Sequence, residues 1–162
     1  MSASAVSPGV QAPPVKYVVF RLGGAVRLAL PQMAVREGLD MASVVVAPMP
    51  GAAAMFQGIA NVRGNFLWVL DLARLLRQLE PDLPLPVTPH REGLVVQGGQ
   101  RAVVVTIQGR DGFLPLGAKD IQPLPHLRHK HLFPGMVRWE GQPVALLDPT
   151  ALFQVLRQSS VR

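Results

Sequence analysis

Apolar and polar positions in this chain alternate in short blocks, most of them of strand length. Residues 17–22, YVVFRL, and 26–30, VRLAL, are rich in β-branched and aromatic types and flank Gly23-Gly24. Glycine reaches positive φ without strain, so this pattern predicts a hairpin. Residues 41–48, MASVVVAP, predict a third strand that ends before Met49-Pro50-Gly51. GIANV and NFLWVL predict two more, with Arg63-Gly64 at their turn. The period then changes. Leu72, Leu75, Leu76 and Leu79 recur at i, i+3, i+4 and i+7, one apolar face at helical spacing, behind Asp71 as the N-cap. EPDLPLPVTPH follows, with four prolines in eleven residues. No helix or central strand tolerates that density, so residues 80–90 are predicted to be a stiff connector.

The second half repeats this outline. GLVV and RAVVVTI flank Gly98-Gly99 as a second glycine hairpin, and GFLPL predicts a short strand. AKDIQPLPHLRHKHLF is irregular, and GMVRW with PVALL predicts another strand pair. Asp148-Pro149 then opens a terminal helix, since proline at the first helical position loses no hydrogen bond. Gly58, Gly64, Asp71 and Leu75 are matched 77 residues later by Gly135, Gly141, Asp148 and Leu152. Apolar pairs keep the same offset, among them Leu67/Val144, Leu70/Leu147 and Leu76/Phe153. The chain therefore reads as two copies of one β unit, about 16–79 and 91–157. Short strands with glycine turns favour small barrels or a sandwich, so the fold class is all-β (mainly β) with a short helix closing each half. Asn61 and Arg63 do not recur; Arg138 and Glu140 take their places.

Composition narrows the class. The 162 residues are 49% hydrophobic and 16% charged, enough to bury a core. There is no cysteine, which removes disulfides and thiolate chemistry and suits a reducing compartment. The first 15 residues are small, polar and proline-bearing and are expected to form a mobile tail, with no secretory signal. No apolar run reaches the about 18 residues of a membrane span. A soluble, cytoplasmic protein is expected.

The net charge of +6 admits nucleic acid, acidic membrane or acidic protein partners. The arginines are scattered, and aromatics make up 6% of the chain, unlike the concentrated basic and aromatic footprint of a nucleic-acid binder. A basic double-barrel nucleic-acid binder stays as the alternative, and it predicts a steep salt dependence. His126, His129 and His131 lie close in sequence, but without a carboxylate or cysteine among them they suit a hydrated or partner-contacting loop better than zinc. Asp71 and Asp148 occupy equivalent cap positions, which argues against an acid–base pair. Gly23-Gly24 and Gly98-Gly99 lack a phosphate-loop context, and no nucleophile–base constellation assembles. No catalytic residue, cofactor or metal is expected. Met49, Met55 and Phe56 belong either to the core or to a groove for a partner helix, since methionine adapts to varied surfaces.

GIANVRGNFLWVLDLARLL resembles the signature of the CheW-like family, the coupling proteins of bacterial chemosensory arrays. Asn61, Arg63, Gly64, Asp71 and Leu72 match in register; Trp68 stands where the family has proline. YVVFRLGG, LALPQMAVREG with Glu37 at the acidic position, GQRAVVVTIQ and the last strand pair with its helix resemble the family too. The likeness spans residues 16–157. It implies two interleaved five-stranded barrels of the Src-homology-3 type and no enzymatic activity. It also implies two partners: the regulatory domain of a CheA-type histidine kinase, and the cytoplasmic tip of a methyl-accepting chemoreceptor. The membrane would be approached only through the receptor. Asn61, Arg63, Gly64, Glu37, Trp68, Met55 and Phe56 are the expected partner-binding residues. A guanidinium at Arg63 suits bidentate contact with a carboxylate, either Glu37 or one on another protein.

Overall fold

A computed structural model describes residues 12–124 and 126–160. The expected N-terminal tail lies mostly outside the described residues. Among the described residues eleven strands and two α-helices follow in the order β1 (Val15–Gly23), β2 (Val26–Pro31), β3 (Val35–Asp40), β4 (Val46–Ala47), β5 (Phe56–Val62), β6 (Asn65–Asp71), α1 (Leu72–Leu79), β7 (Glu92–Gly98), β8 (Arg101–Ile107), β9 (Gly109–Leu116), β10 (Gly135–Trp139), β11 (Gln142–Leu146) and α2 (Pro149–Ser160).

The strands form two sheets, ordered β10-β11-β2-β1-β9 and β3-β7-β8-β6-β5-β4. Read from the opposite end, the first is β9-β1-β2-β11-β10. It matches β3-β7-β8-β6-β5 strand for strand under the repeat. The sixth strand, β4, pairs only through Val46↔Ala60 and Ala47↔Ile59; its counterpart in the other sheet is the single bridge Gln122↔Met136. Each sheet curls into a barrel of the Src-homology-3 type, and each takes its central hairpin from the opposite half of the chain. The crossings are parallel pairs, β11 on β2 and β6 on β8.

This exchange accounts for the hydrophobic pattern. Val19 and Ala29 of the β1–β2 hairpin point into one barrel, with Val137, Val144 and Leu146. Val95 and Val104 of the β7–β8 hairpin point into the other, with Ala60, Val62 and Val69. The alternate residues Phe20, Leu22, Leu28, Leu30, Leu94, Val96, Val103 and Val105 enter a third and larger core, where α1 and α2 add Leu72, Leu75, Leu76, Leu152 and Leu156. Both hairpins are thus buried on both faces, and such strands read as continuous apolar runs.

Asp71 Oδ1 accepts the N–H of Arg74 at 3.1 Å, and Asp148 Oδ1 accepts that of Thr150 at 2.9 Å, so both aspartates cap helices. The proline segment is fastened down: Leu85 is buried, Arg77 Nε donates to Leu85 O at 3.2 Å, and His90 Nε2 meets Leu22 O at 3.1 Å.

One expectation is corrected, and one strand was not foreseen. Residues 41–48 are not one strand. Asp40 Oδ1 accepts the N–H of Ala42 at 3.0 Å and starts a 3-10 turn, Met41–Ser43, leaving only two residues for β4. β3 was hidden because its pairing with β7 slips between Val35 and Glu37, which breaks the alternation.

Candidate interaction site on the first barrel

Val62 pairs with Asn65 across a two-residue turn in which Arg63 has φ +51° and Gly64 φ +86°. Two consecutive positive φ values make a type I′ turn, whose twist suits a hairpin. The second copy bends the same way, with Glu140 at +52° and Gly141 at +76°. Arg63 and Glu140 are the non-glycine residues with positive φ among the described residues. The backbone shape therefore belongs to the scaffold, while the side chain is chosen independently. Asn61 Oδ1 accepts the N–H of Gly64 at 2.9 Å and braces the first turn.

Arg63 Nε donates to both oxygens of Glu37, at 3.1 and 3.0 Å. Glu37 sits on β3, at one end of the sheet, and Arg63 on the hairpin near the other end, so the pair spans the seam of the barrel. A shallow cleft of about 310 Å³ lies along that seam, lined by Glu37, Leu39, Asp40, Val44 and Val62 beside the pair. The Arg63 side chain is 78% exposed and that of Glu37 25%. The hydrogen bond to Glu37, then its charge, raises the guanidinium above its ordinary value. Only Nε is hydrogen-bonded; neither terminal nitrogen makes a hydrogen bond with the described residues. In the second barrel the matching stretch of β9 carries Asp111, which turns to Arg21 and Arg27 instead.

The other expected residues lie further along the same hairpin. Asn61 pairs with Phe66 and Ile59 with Trp68, so Asn61, Phe66 and Trp68 share one face. The parallel pairing of β6 with β8 begins only at Val69, which leaves β6 open on that side at Trp68. There the strands part around a groove of about 1090 Å³, bounded by the segment before β5, by β6 and β8, and by α2. The Phe56 and Trp68 rings stand 5.1 Å apart at 51° along it, and Phe66 is 76% exposed at its edge. Met55 lines the groove but is 3% exposed and belongs to the large core. Glu37, Asn61, Arg63 and Gly64 thus meet at the turn, whereas Phe56, Trp68 and Met55 line the groove. Phe66, Arg101 and Phe153 also line it and were not singled out in the sequence. The period-two spacing of Phe66 and Trp68 was the signal for the first of these.

The histidines of the irregular segment do not converge. His129 Nδ1 lies 2.8 Å from Glu80 Oε2, and among the described residues no three His, Asp or Glu side chains gather as metal ligands.

The fold is a pair of interleaved barrels of the Src-homology-3 type, with an exposed charged turn and an aromatic-edged groove on one of them. Residues 16–157 match the CheW-like domain model, and the chain belongs to that family, which consists of non-enzymatic scaffolding proteins acting in chemotaxis signalling. It is 28% identical over 141 residues to the chemotaxis protein CheW of Rhizobium meliloti (strain 1021), covering 84% of this chain and 85% of that one. Its fold is similar to that of the scaffolding protein TtCheW from Thermoanaerobacter tengcongensis, with a TM-score of 0.69 and 18% identity over 83% of this chain and 89% of the other. No helix among the described residues is long and apolar enough to cross a membrane.

Proposed function

We propose that this protein is a cytoplasmic adaptor that couples a methyl-accepting chemoreceptor to a CheA-type histidine kinase. One barrel edge adds apolar contact to the homologous barrel of the kinase regulatory domain. The β5–β6 hairpin, with its cationic turn and aromatic-edged groove, takes a helix of the receptor tip. The observation that carries the reading is a break in the internal symmetry. Two copies share a strained turn, and only one places on it an arginine oriented by a carboxylate, with its terminal nitrogens left over. A guanidinium held this way is pre-organised for a second carboxylate, which lowers the ordering cost of docking. Coupling follows if receptor state changes the free energy of either contact.

The test is capture of a receptor tip fragment and of the kinase regulatory domain by the wild type and by Arg63→Ala. The wild type is expected to retain both, and Arg63→Ala to lose the receptor fragment while keeping its circular dichroism spectrum. A wild type that holds neither partner removes the adaptor reading. A folded Arg63→Ala that holds both removes the site assignment.

A further inference from the structure

The two barrels meet across charged side chains that lie apart from the Arg63 turn. β9 pairs with β1 through Val19↔Gly112 and Phe20↔Arg110, so Asp111 is an extra residue with no partner across the ladder. A bulge of this kind re-aims the side chains around it. Asp111 turns into the second barrel, where it pairs with Arg21 and, at 3.2 Å, with Arg27 Nε. Arg110 turns the other way, onto the first barrel. Glu92 Oε1, on β7, accepts the backbone N–H of Arg110 at 3.3 Å and its Nε–H at 3.0 Å. The guanidinium then lies over β3 at Gly38. A Cβ on that glycine would overlap it, standing 2.8 Å from Arg110 Cζ. Glycine is needed there for space, directly beside Glu37.

The strand that Arg110 covers is weakly held at this point. Among the described residues β3 ends its sheet and pairs with β7 alone, and that pairing slips between Val35 and Glu37. Arg36 is left out of the ladder immediately before Glu37. Side chains alternate across a strand, so positions 37 and 38 face opposite ways. Arg63 holds the segment from one face, through the Glu37 carboxylate, and Arg110 holds it from the other by lying on the backbone. From this arrangement we propose that Arg110 is a positioning residue, which fixes β3 so that Glu37 stays in place for Arg63. A side chain of the second barrel thereby sets the charged turn of the first. The Arg110 and Glu92 side chains are 52% and 35% exposed, so their pairing serves placement more than stability. This deepens the receptor-docking reading above, on which its effect on partner capture rests.

The test reads the Arg63 Nε–H resonance by NMR in the full chain, with Glu37→Ala supplying its unpaired position. Arg110→Ala removes the covering side chain. Gly38→Ala keeps every charged group and displaces the guanidinium by one methyl; the end of a flexible side chain swings aside, so the fold is retained. Both variants are expected to move the resonance part of the way to the unpaired position and to speed its exchange with water about threefold. The double variant should go no further than the larger single effect, since both remove the same contact. Leu132→Ala, in the large core, should lower Tm and leave the resonance in place. A resonance unmoved in folded Gly38→Ala, effects that add, or an equal shift in Leu132→Ala overturns the proposal. Capture of the receptor fragment should weaken about threefold in both variants, with the kinase regulatory domain held as before. If the resonance moves while the wild type holds neither partner, the proposal stands and the adaptor reading falls. If the wild type holds both and the resonance is unmoved, the reverse holds.

Discussion

Glu80→Gln should destabilise the protein through the contact between α1 and the irregular segment. Glu80 is 3% exposed and accepts three hydrogen bonds: from Arg128 N at 2.9 Å, His129 N at 2.7 Å and His129 Nδ1 at 2.8 Å. Burial alone would raise its carboxyl pKa. The N–H of Arg128, the ring and N–H of His129 and the charge of His129 instead hold it below its ordinary value of 4.5. Glutamine has the same shape but one acceptor oxygen, and its amide nitrogen would face N–H donors. One partly buried backbone N–H then loses its partner, at about 1–3 kcal/mol, and the charge assistance is lost at the remaining bond. We expect a loss of about 2–3 kcal/mol at neutral pH, or about 4–12 °C in Tm for a chain of this size. Because the folded pKa is depressed, the contribution is complete above the unfolded value and disappears as pH falls through the folded one. The wild type should therefore lose its advantage over Glu80→Gln as pH drops below about 4.5. Urea unfolding followed by circular dichroism at pH 7 and through the acid range measures both effects. A difference below about 0.5 kcal/mol at pH 7, or one independent of pH, would refute the argument.

Other outcomes follow from single contacts. Gly58 has φ +149°, and a Cβ there would lie 2.1 Å from Ala47 O, so Gly58→Ala should cost about 2–4 kcal/mol in urea unfolding by forcing β4 away. Glu140→Asn should raise stability by about 0.5–1 kcal/mol in the same assay, because asparagine tolerates the φ of +52° better. Trp68→Ala should weaken capture of the receptor fragment by more than tenfold, with the kinase domain still retained, since aromatic anchors in grooves dominate docking energy at about 2 kcal/mol or more each.

Much of the scaffold could be read before the structure, for a definite reason. The anchors Gly58, Gly64, Asp71 and Leu75 mark a close approach, a turn, a cap and a packed helix face. Each is a local requirement, and the repeat states each of them twice. The site was less legible. Glu37 and Arg63 are 26 residues apart and meet only because the sheet curls until its ends approach. Periodicity cannot show that; only the resemblance brought the two together. The Glu80–His129 contact, across 49 residues, had no sequence signal at all, and proximity among three histidines pointed elsewhere. Met55 shows another limit, because an apolar residue at the edge of a groove and one in the core have the same sequence signature.

The exchange of central hairpins gives the chain the form of a strand-swapped dimer whose two subunits have been fused. Residues up to α1 include β1 and β2, which complete the far barrel, but not β7 and β8, which complete the near one. A half-length fragment would thus be left with an open sheet and an unfilled interior, and two fragments would have to embrace to close either barrel. The same wiring ties the barrels mechanically. The β3 strand, which holds Glu37, is continuous with the β1–β2 hairpin at the centre of the other barrel.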